Sequence, residues 1–501
     1  MNLRKAPFNS NCARSVMTLV LGLSLAVTAR AQSSGTINQL FAFTCAGGSN
    51  NDTCPKGARP DIILQASDGN FYGAAQVTDE GVSDPQGGTL FKLTPSGEFT
   101  KLFTFTQGSS GFLHGNNPAS GFVEANDGFL YGTTFNGGKQ NDGVLFRITK
   151  TGTDFKVLHN FCSSANCADG SIPDGLLLGQ DGKLYGTTLQ GGSSVSPCPS
   201  FGCGTIFRFE PTTGAFTVLH RLTATDPYGI EPGGMIQATN GNFYGVSSGP
   251  DANENIFQFT LSGKFTVQFT SAPLNLGLSG VTQGANGNLY GAFESIGVDD
   301  INFFEVSTEG TGFVAFAPFT PLVGTLGIPS LFLASDGNLW DSNFTDSTAP
   351  QGSIFSINPQ NGAVLQTFAF DGANGDSPLA GAIQAADGSF VGTTELGGTI
   401  AAGKNTFADG TVWTLDAGLP ALVPAIRLLN STSGSVGSTV LINGKNLIGT
   451  TEVSFNGVSA SFQVLNTQFV SATVPAGATT GPVTVTNAGG EATSTQLFTV
   501  N

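Results

Sequence analysis

The amino-acid sequence predicts an all-β protein built mainly as a seven-bladed β-propeller. Composition, a sevenfold repeat of turns and strands, and a strand left over at the start of the chain carry this expectation. Of 501 residues, 70 are Gly, 24 are Pro and 41 are Phe, and charged residues make up 11%, against about 25% in an ordinary soluble domain. Many short apolar strands joined by tight turns produce such a mix. An Asp-Gly or Asn-Gly pair recurs between apolar stretches at Asp68-Gly69, Asp127-Gly128, Asp181-Gly182, Asn240-Gly241, Asn286-Gly287, Asp336-Gly337 and Asp387-Gly388. These dipeptides are the preferred centres of type I′ hairpins. Their glycines step by 59, 54, 59, 46, 50 and 51 residues, a spacing that suits propeller blades and exceeds most helical solenoid repeats.

The strands follow in a fixed order. After each turn comes a strand carrying Tyr72, Tyr131, Tyr185, Tyr244, Tyr290, Trp340 or Val391, so five of the six tyrosines share one slot. A repeated slot of this kind points to packing between blades. The next strand carries one large aromatic: Phe91, Phe146, Phe207, Phe257, Phe304, Phe355 or Trp413. A second turn, such as Thr94-Pro95-Ser96-Gly97, leads into an alternating strand such as 98–105. Each unit thus has four strands, A to D. The seventh unit stops after strand C at 410–415, whereas the chain begins with an orphan D-type strand at 37–43. The orphan is expected to complete the last blade, closing the ring and removing exposed sheet edges. In this order the short A–B and C–D turns share a bottom face, and the longer B–C and D–A connections share a top face.

Ahead of the repeats, Arg4, Lys5 and Arg14 precede an apolar run from Val16 to Val27, and Ala29-Arg30-Ala31 supplies small residues at a cleavage site. A secretory signal over residues 1–31 is the expectation, with the mature chain secreted, at the cell surface or in a periplasm. No later segment approaches about 18 uninterrupted apolar residues, so no transmembrane segment is expected. Acidic residues outnumber basic ones 35 to 19, and an acidic surface repels nucleic acid. Six cysteines beyond the signal fall in close pairs, Cys45/Cys54, Cys162/Cys167 and Cys198/Cys203. Short separations and an oxidising compartment favour three local disulfides stapling top-face loops, and none of the spacings resembles a paired zinc site.

The repeat region, assigned to residues 32–419, gives way after a linker at 420–423 to a segment rich in Ser, Thr, Val and Gly. Gly437-Ser-Thr-Val-Leu-Ile-Asn-Gly444, Val453-Ser-Phe-Asn-Gly457 and Gly481-Pro-Val-Thr-Val-Thr-Asn487 read as short alternating strands. The segment 424–501 resembles an IPT/TIG domain, which implies an immunoglobulin-like β-sandwich. The repeats, for example Gln65-Ala-Ser-Asp-Gly-Asn-Phe-Tyr-Gly73 and Gly88-Thr-Leu-Phe-Lys-Leu-Thr-Pro-Ser-Gly97, resemble those of the bacterial GloVer tandem-repeat proteins over roughly residues 36–418. That family implies an exported repeat protein with interchangeable C-terminal anchors and no agreed activity. This chain shows no terminal hydrophobic helix with a basic tail.

The chemistry in the sequence is sparse. Asp336-Gly-Asn-Leu-Trp340 also resembles streptogramin lyase, a propeller enzyme needing a histidine base and a metal-supporting acid. There are three histidines, and His159 and His220 fall inside D strands, where packing is the expected role. His114 lies in a top loop. Acidic residues gather in top connections, among them Asp79, Glu80, Asp84, Asp142, Asp169, Asp251, Glu254, Asp299 and Asp300. Calcium would suit such oxygens, yet no D-x-D-x-D-G loop with a distal Glu is present and solvated surface charge is the expected reading. No other cofactor and no catalytic residue is nominated. Phe112, His114, Phe135, Phe201, Tyr228, Phe344 and Phe407 are the binding candidates, as top-loop side chains able to stack on a glycan or a protein; packing onto the propeller end is their alternative role. The expected function is non-catalytic binding or cell-surface interaction through the top face. The other class considered is a lyase or glycan-cleaving enzyme acting at the top of the axial channel.

Overall fold

The computed structural model describes residues 35–46, 54, 56–76, 86–118, 121–193, 198, 201–223, 226, 231–248, 254–271, 276–295, 301–316, 331–343, 350–378, 381–399 and 406–501. The predicted signal lies outside them. Regular structure among the described residues is β throughout, apart from a 3₁₀ turn at Ala165–Cys167. No described helix is long and apolar enough to cross a membrane.

Seven propeller-like sheets share one plan among the described residues. In the first, Ala58–Gln65, Phe71–Gln76, Gln86–Leu93 and Phe99–Thr106 pair antiparallel in sequence order. The second splits its strand A into Asn116–Pro118 and Val123–Glu124. The seventh draws on both ends of the repeat region. Ile383–Gln384, Phe390–Thr394 and Thr406–Leu415 give A to C, and Ile37–Ala46 gives D, with Ile37 opposite Leu415 and Gln39 opposite Trp413.

The aromatic slot on strand B joins each sheet to the next. Tyr72 packs with Phe122, Leu130 and Phe146 of the second sheet, and Tyr131 with Leu184 and Phe207 of the third. The series runs on to Trp340 against Phe390 and Trp413 of the seventh sheet, and to Val391 against Ile63, Phe71 and Phe91 of the first. Tyr72, Tyr131, Tyr185, Tyr244, Tyr290, Trp340 and Val391 are all buried. A buried phenol needs a hydrogen-bond partner, and the A–B turn provides it. Tyr72, Tyr131 and Tyr185 donate to the carboxylates of Asp68, Asp127 and Asp181 at 2.8, 2.7 and 2.9 Å. Tyr244 and Tyr290 accept from the side-chain amides of Asn240 and Asn286. Where Val391 removes the hydroxyl, Asp387 bonds Ser389 instead.

These A–B turns are not the type I′ turns that the dipeptides suggest. In the first, Gly69 has φ +79° while Asp68 has no positive φ. The Gly69 N–H donates to Ala66 O at 2.8 Å and the Ala66 N–H to Asn70 O at 2.9 Å. This is a type I turn followed by a glycine bulge. Asp68 supplies the reason, because its carboxylate also accepts the Asn70 N–H at 3.2 Å and so closes the turn around a negative-φ aspartate. A turn with both central φ values positive occurs instead at Asn456-Gly457, at +47° and +84°.

The C-terminal residues form a two-sheet immunoglobulin-like sandwich. One sheet orders Ala425–Leu429, Thr439–Lys445, Phe469–Thr473 and Phe462–Val464; the other orders Ser433–Gly434, Gly490–Val500, Gly481–Asn487, Glu452–Phe455 and Val458–Ser459. Val440, Ile442, Val453, Val470, Val485 and Phe498 fill its core. The sandwich meets the A–B turn side of the second and third sheets. Its linker runs past the sixth and seventh, with Ser335 Oγ donating to Pro420 O at 2.8 Å and Leu422 N–H to Ala386 O at 3.3 Å.

Candidate functional site

The cysteines are joined as the disulfides Cys45–Cys54, Cys162–Cys167 and Cys198–Cys203. One of these staples departs from the loop setting expected from sequence. Cys45 is still within strand Ile37–Ala46, so its staple begins in strand D of the seventh sheet and not in the D–A connection. Cys198 and Cys203 lie in the B–C connection, as expected, but Cys203 is not at its surface. It is 0% exposed and forms a small apolar core with Cys198 and Leu222 under the B–C connection. The reason is its place two residues before strand Thr205–Glu210, where the Leu222 N–H donates to Gly204 O at 3.1 Å and extends the sheet pairing over the disulfide. The Cys198–Cys203 bond therefore ties its loop down to the end of the third sheet.

The Cys162–Cys167 and Cys198–Cys203 loops lock together on the long-loop side of the second and third sheets. Gly192 N–H donates to Cys167 O at 2.8 Å, Gly191 N–H to Phe201 O at 2.7 Å, and Gly204 N–H to Gly191 O at 3.0 Å. Gly191 is required there. Its φ is +78°, and a Cβ would meet Cys167 O and the Gly170 backbone at 2.7 Å. Arg221 Nε adds a bond to Ala168 O at 2.7 Å. The resulting platform holds Phe201 with 49% of its surface exposed, so a large aromatic face is presented to solvent beside two disulfides.

The other candidates divide. The Phe112 carbonyl accepts from Gly115 N–H at 3.0 Å and Gly138 N–H at 2.8 Å, and its half-buried ring lies over Gly87. Phe112 is thus packed down onto the first two sheets. His114 is exposed and presents its ring to the edges or faces of Phe103 and Phe155, at 6.1 and 5.8 Å between centroids. Phe135 is half-buried at the end of strand Leu130–Asn136. Phe407 pairs through its backbone with Cys45 in strand Thr406–Leu415. Tyr228 and Phe344 lie outside the described residues, as do Asp79, Glu80, Asp84, Asp251, Asp299 and Asp300.

His159 and His220 take positions held by phenylalanine in other sheets. Phe103 stacks on Phe155 of the next sheet at 3.9 Å, His159 on Phe216 at 3.7 Å, and His220 on Phe265 at 5.2 Å. Each imidazole Nε2 also meets a carboxylate, Asp169 at 3.0 Å and Asp226 at 3.2 Å. Asp169 is further bonded by Ser163 N–H and Oγ and by Ser164 N–H. Burial pushes the Asp169 carboxyl up, but these donors outweigh it and hold the group below its usual range. Burial holds His159 below its ordinary value despite the attraction of Asp169. Asp142 accepts from Ser171 Oγ at 2.5 Å.

Two further carboxylates escaped the sequence reading. Asp174 lies at an irregularity in strand Ser171–Leu178, beside Gly175, which approaches Gly234 of the next sheet's strand A. Burial raises its pKa, partly offset by the Gly175 N–H. Asp341 is 2% exposed in the position that Gly73, Gly132, Gly186, Gly245, Gly291 and Gly392 occupy elsewhere. Aligning the residue after each strand-B aromatic exposes this exception. On the opposite side, a cleft of about 170 Å³ lies between Gln65, Glu124 and Leu178 and the sandwich residues Asn466, Thr467 and Gln468.

Residues 63–299 match the Gloeobacter/Verrucomicrobia repeat, and residues 424–500 match the IPT/TIG domain. The chain carries Gloeobacter/Verrucomicrobia repeats and a C-terminal IPT/TIG domain. The sixth and seventh sheets continue the plan of the repeats beyond the matched segment. No curated protein matches the sequence significantly. Solved structures of similar chain path include a fungal alcohol oxidase of the AA5 family in complex with copper, at 15% identity and TM-score 0.48, covering 89% of this chain and 98% of that one. The periplasmic gluconolactonase of Pseudomonas aeruginosa is 16% identical with TM-score 0.44, covering 66% and 96%. An oligogalacturonate lyase in complex with manganese is 14% identical with TM-score 0.46, covering 77% and 98%.

Proposed function

We propose that this chain is an exported, non-catalytic binding protein: a closed seven-bladed propeller that engages an extracellular glycan or protein through its long-loop face. The exposed Phe201 on the doubly stapled Gly191 platform carries the reading. A rigid scaffold with an ordered apolar anchor lowers the entropy cost of association. Closure is supported by the packing of Val391 on the first sheet and by the pairing of Ile37–Ala46 with Thr406–Leu415. Three disulfides accord with an oxidising compartment and so with the signal expected over residues 1–31. The domain limits 32–419 and 424–501 belong to the same reading, and the IPT/TIG domain on the turn side leaves the long loops clear.

Glycan and peptide arrays probed with the mature protein test it. Binding should fall at least about tenfold on Phe201→Ala, since a central aromatic anchor is commonly worth more than 1.4 kcal/mol. Unchanged array binding by the folded variant refutes the face assignment. The second reading, an enzyme acting at the inner strands, has the raised Asp174 carboxyl in its favour. Turnover of an array ligand that Asp174→Asn abolishes would decide for it.

A further inference from the structure

A glutamine or glutamate at the end of strand A fastens neighbouring sheets on the turn side. Gln237 Oε1 accepts the Gln180 N–H of the preceding sheet at 2.8 Å while its Nε2 donates to its own Gly241 O at 2.9 Å. Gln283 and Gln384 repeat both bonds with Thr239 and Ser335 of their preceding sheets. Gln65 accepts the Ala386 N–H at 2.9 Å, joining the seventh sheet to the first. Glu124 does the same for Ser67, at 2.7 Å, and also pairs with Lys150. Among the described residues, five of seven junctions thus carry a side-chain clasp. At the other two, leucine occupies the clasp position at the end of strand A: Leu178 in the third sheet and Leu333 in the sixth.

The IPT/TIG domain meets the first of these junctions. Asn466 Nδ2 donates to Asn126 Oδ1 at 2.8 Å, and Gln468 Nε2 to Leu178 O at 2.9 Å. Asn443 Nδ2 adds a bond to Gln180 O at 3.1 Å. Between them Phe469, 3% exposed, packs with Ala125, Leu178 and Leu184 of the repeat region and stands outside the sandwich's own core cluster. An amide at position 178 would be buried against that ring, whereas leucine extends the apolar contact.

We propose that the IPT/TIG domain is the missing clasp: it binds the turn surface of the second and third sheets and holds shut a junction that Leu178 leaves unfastened. The domain is therefore a structural partner of the propeller and not a free tether. Its hairpin around 465–469 bridges both sides of the junction, so the turns of the second and third sheets separate only after it lifts away. The cleft beside it belongs to this joint, since Glu124, Asn466 and Gln468 all have bonding partners within the chain.

Hydrogen exchange on the full chain tests the proposal. Phe469→Ala removes the anchor without touching the sandwich core, and Asn466→Ala/Gln468→Ala removes two of the three polar bonds. Each should raise amide exchange about tenfold or more at 125–130 and 178–184, with 238–244 and 283–289, fastened by Gln283, unchanged. Adding Leu178→Gln to Phe469→Ala should restore protection at least in part, because the new side chain offers an acceptor to the Asn126 N–H. Unchanged exchange at 125–130 and 178–184 in both docking variants overturns the proposal. So does an equal rise at all junctions, or a Leu178→Gln change that leaves the Phe469→Ala exchange pattern untouched.

Discussion

Gly132→Ala is expected to destabilise the repeat region by about 2–3 kcal/mol, as overpacking of a filled core commonly does. Gly132 follows Tyr131 on strand B and stands opposite Phe146 on strand C. A Cβ there would lie 2.7 Å from Phe146 Cζ and 3.2 Å from Cε1. The ring has nowhere to go: it is 1% exposed, stacked on Phe155 at 5.1 Å and met edge-on by Phe105 at 5.8 Å. Gly128→Ala is the control. It carries φ +81° with open space around its Cβ, so its cost of about 1–2 kcal/mol is local backbone strain. Denaturant midpoints of both variants, each with and without Phe146→Leu, separate the causes. Phe146→Leu should offset at least about 1 kcal/mol of the Gly132→Ala penalty, as expected for touching residues, and none of the Gly128→Ala penalty. Additive costs in the Gly132→Ala, Phe146→Leu double variant would refute steric crowding by the ring.

Deleting residues 32–44 removes most of strand D from the seventh sheet and leaves Thr406–Leu415 as an open edge, so the truncated chain should aggregate; a soluble truncation with an unchanged melting temperature, by light scattering and calorimetry, contradicts closure. His159 and Asp169 both titrate below their ordinary values in the fold, so the unfolded chain binds protons more readily and acid destabilises. The imidazole contribution is fully present above its unfolded value of 6.5 and is lost as pH falls through the folded one; His159→Phe should flatten the melting temperature between about pH 7 and pH 5, and an unaltered pH slope counts against it. Gly388→Ala should cost more than Gly241→Ala, because its Cβ would meet Leu419 O at 2.5 Å while that of Gly241 meets nothing within 4 Å. Equal thermal shifts would show that the linker yields.

The repeat plan was legible because one pattern is written seven times, so weak local signals reinforce one another. Turn type was not, since an Asp-Gly pair serves both a type I′ turn and a type I turn with a glycine bulge. The two differ in the φ of one residue, and here Asp68 is committed to Tyr72 four residues on. The recurrence of aspartate or asparagine four residues before the strand-B aromatic, in six of the seven units, was the available clue. Cysteine pairing was legible from short separations, whereas the burial of Cys203 depends on Leu222 arriving from the next strand. The place of Phe201 in a stapled loop was legible from the cysteines on either side of it, but the packing of Phe112 depends on Gly87 of strand Gln86–Leu93 and on Gly138 of another loop. The clasps escaped notice because one glutamine per repeat looks like any solvent-facing side chain until a backbone N–H from the neighbouring sheet is placed against it.

Residues that recur in most units are consumed by architecture: the tyrosine hydroxyls by their turns, the strand-B glycines by the strand-C rings, the clasp glutamines by the preceding sheet. Specific information therefore sits where a unit breaks its own rule. Leu178 breaks the clasp and meets the IPT/TIG domain. His159 and His220 break the phenylalanine stack, and each brings a carboxylate from its top loop into a fixed position. Asp341 breaks the glycine rule and buries an acid opposite Phe355. The stapled loops break the length rule and raise Phe201 into solvent. A fold held by repetition tolerates such exceptions singly, because each junction has its own buried aromatic cluster to absorb the loss. On the proposed reading, function is expected at the exceptions that face solvent, and among the described residues Phe201 combines large apolar exposure with a rigid covalent support.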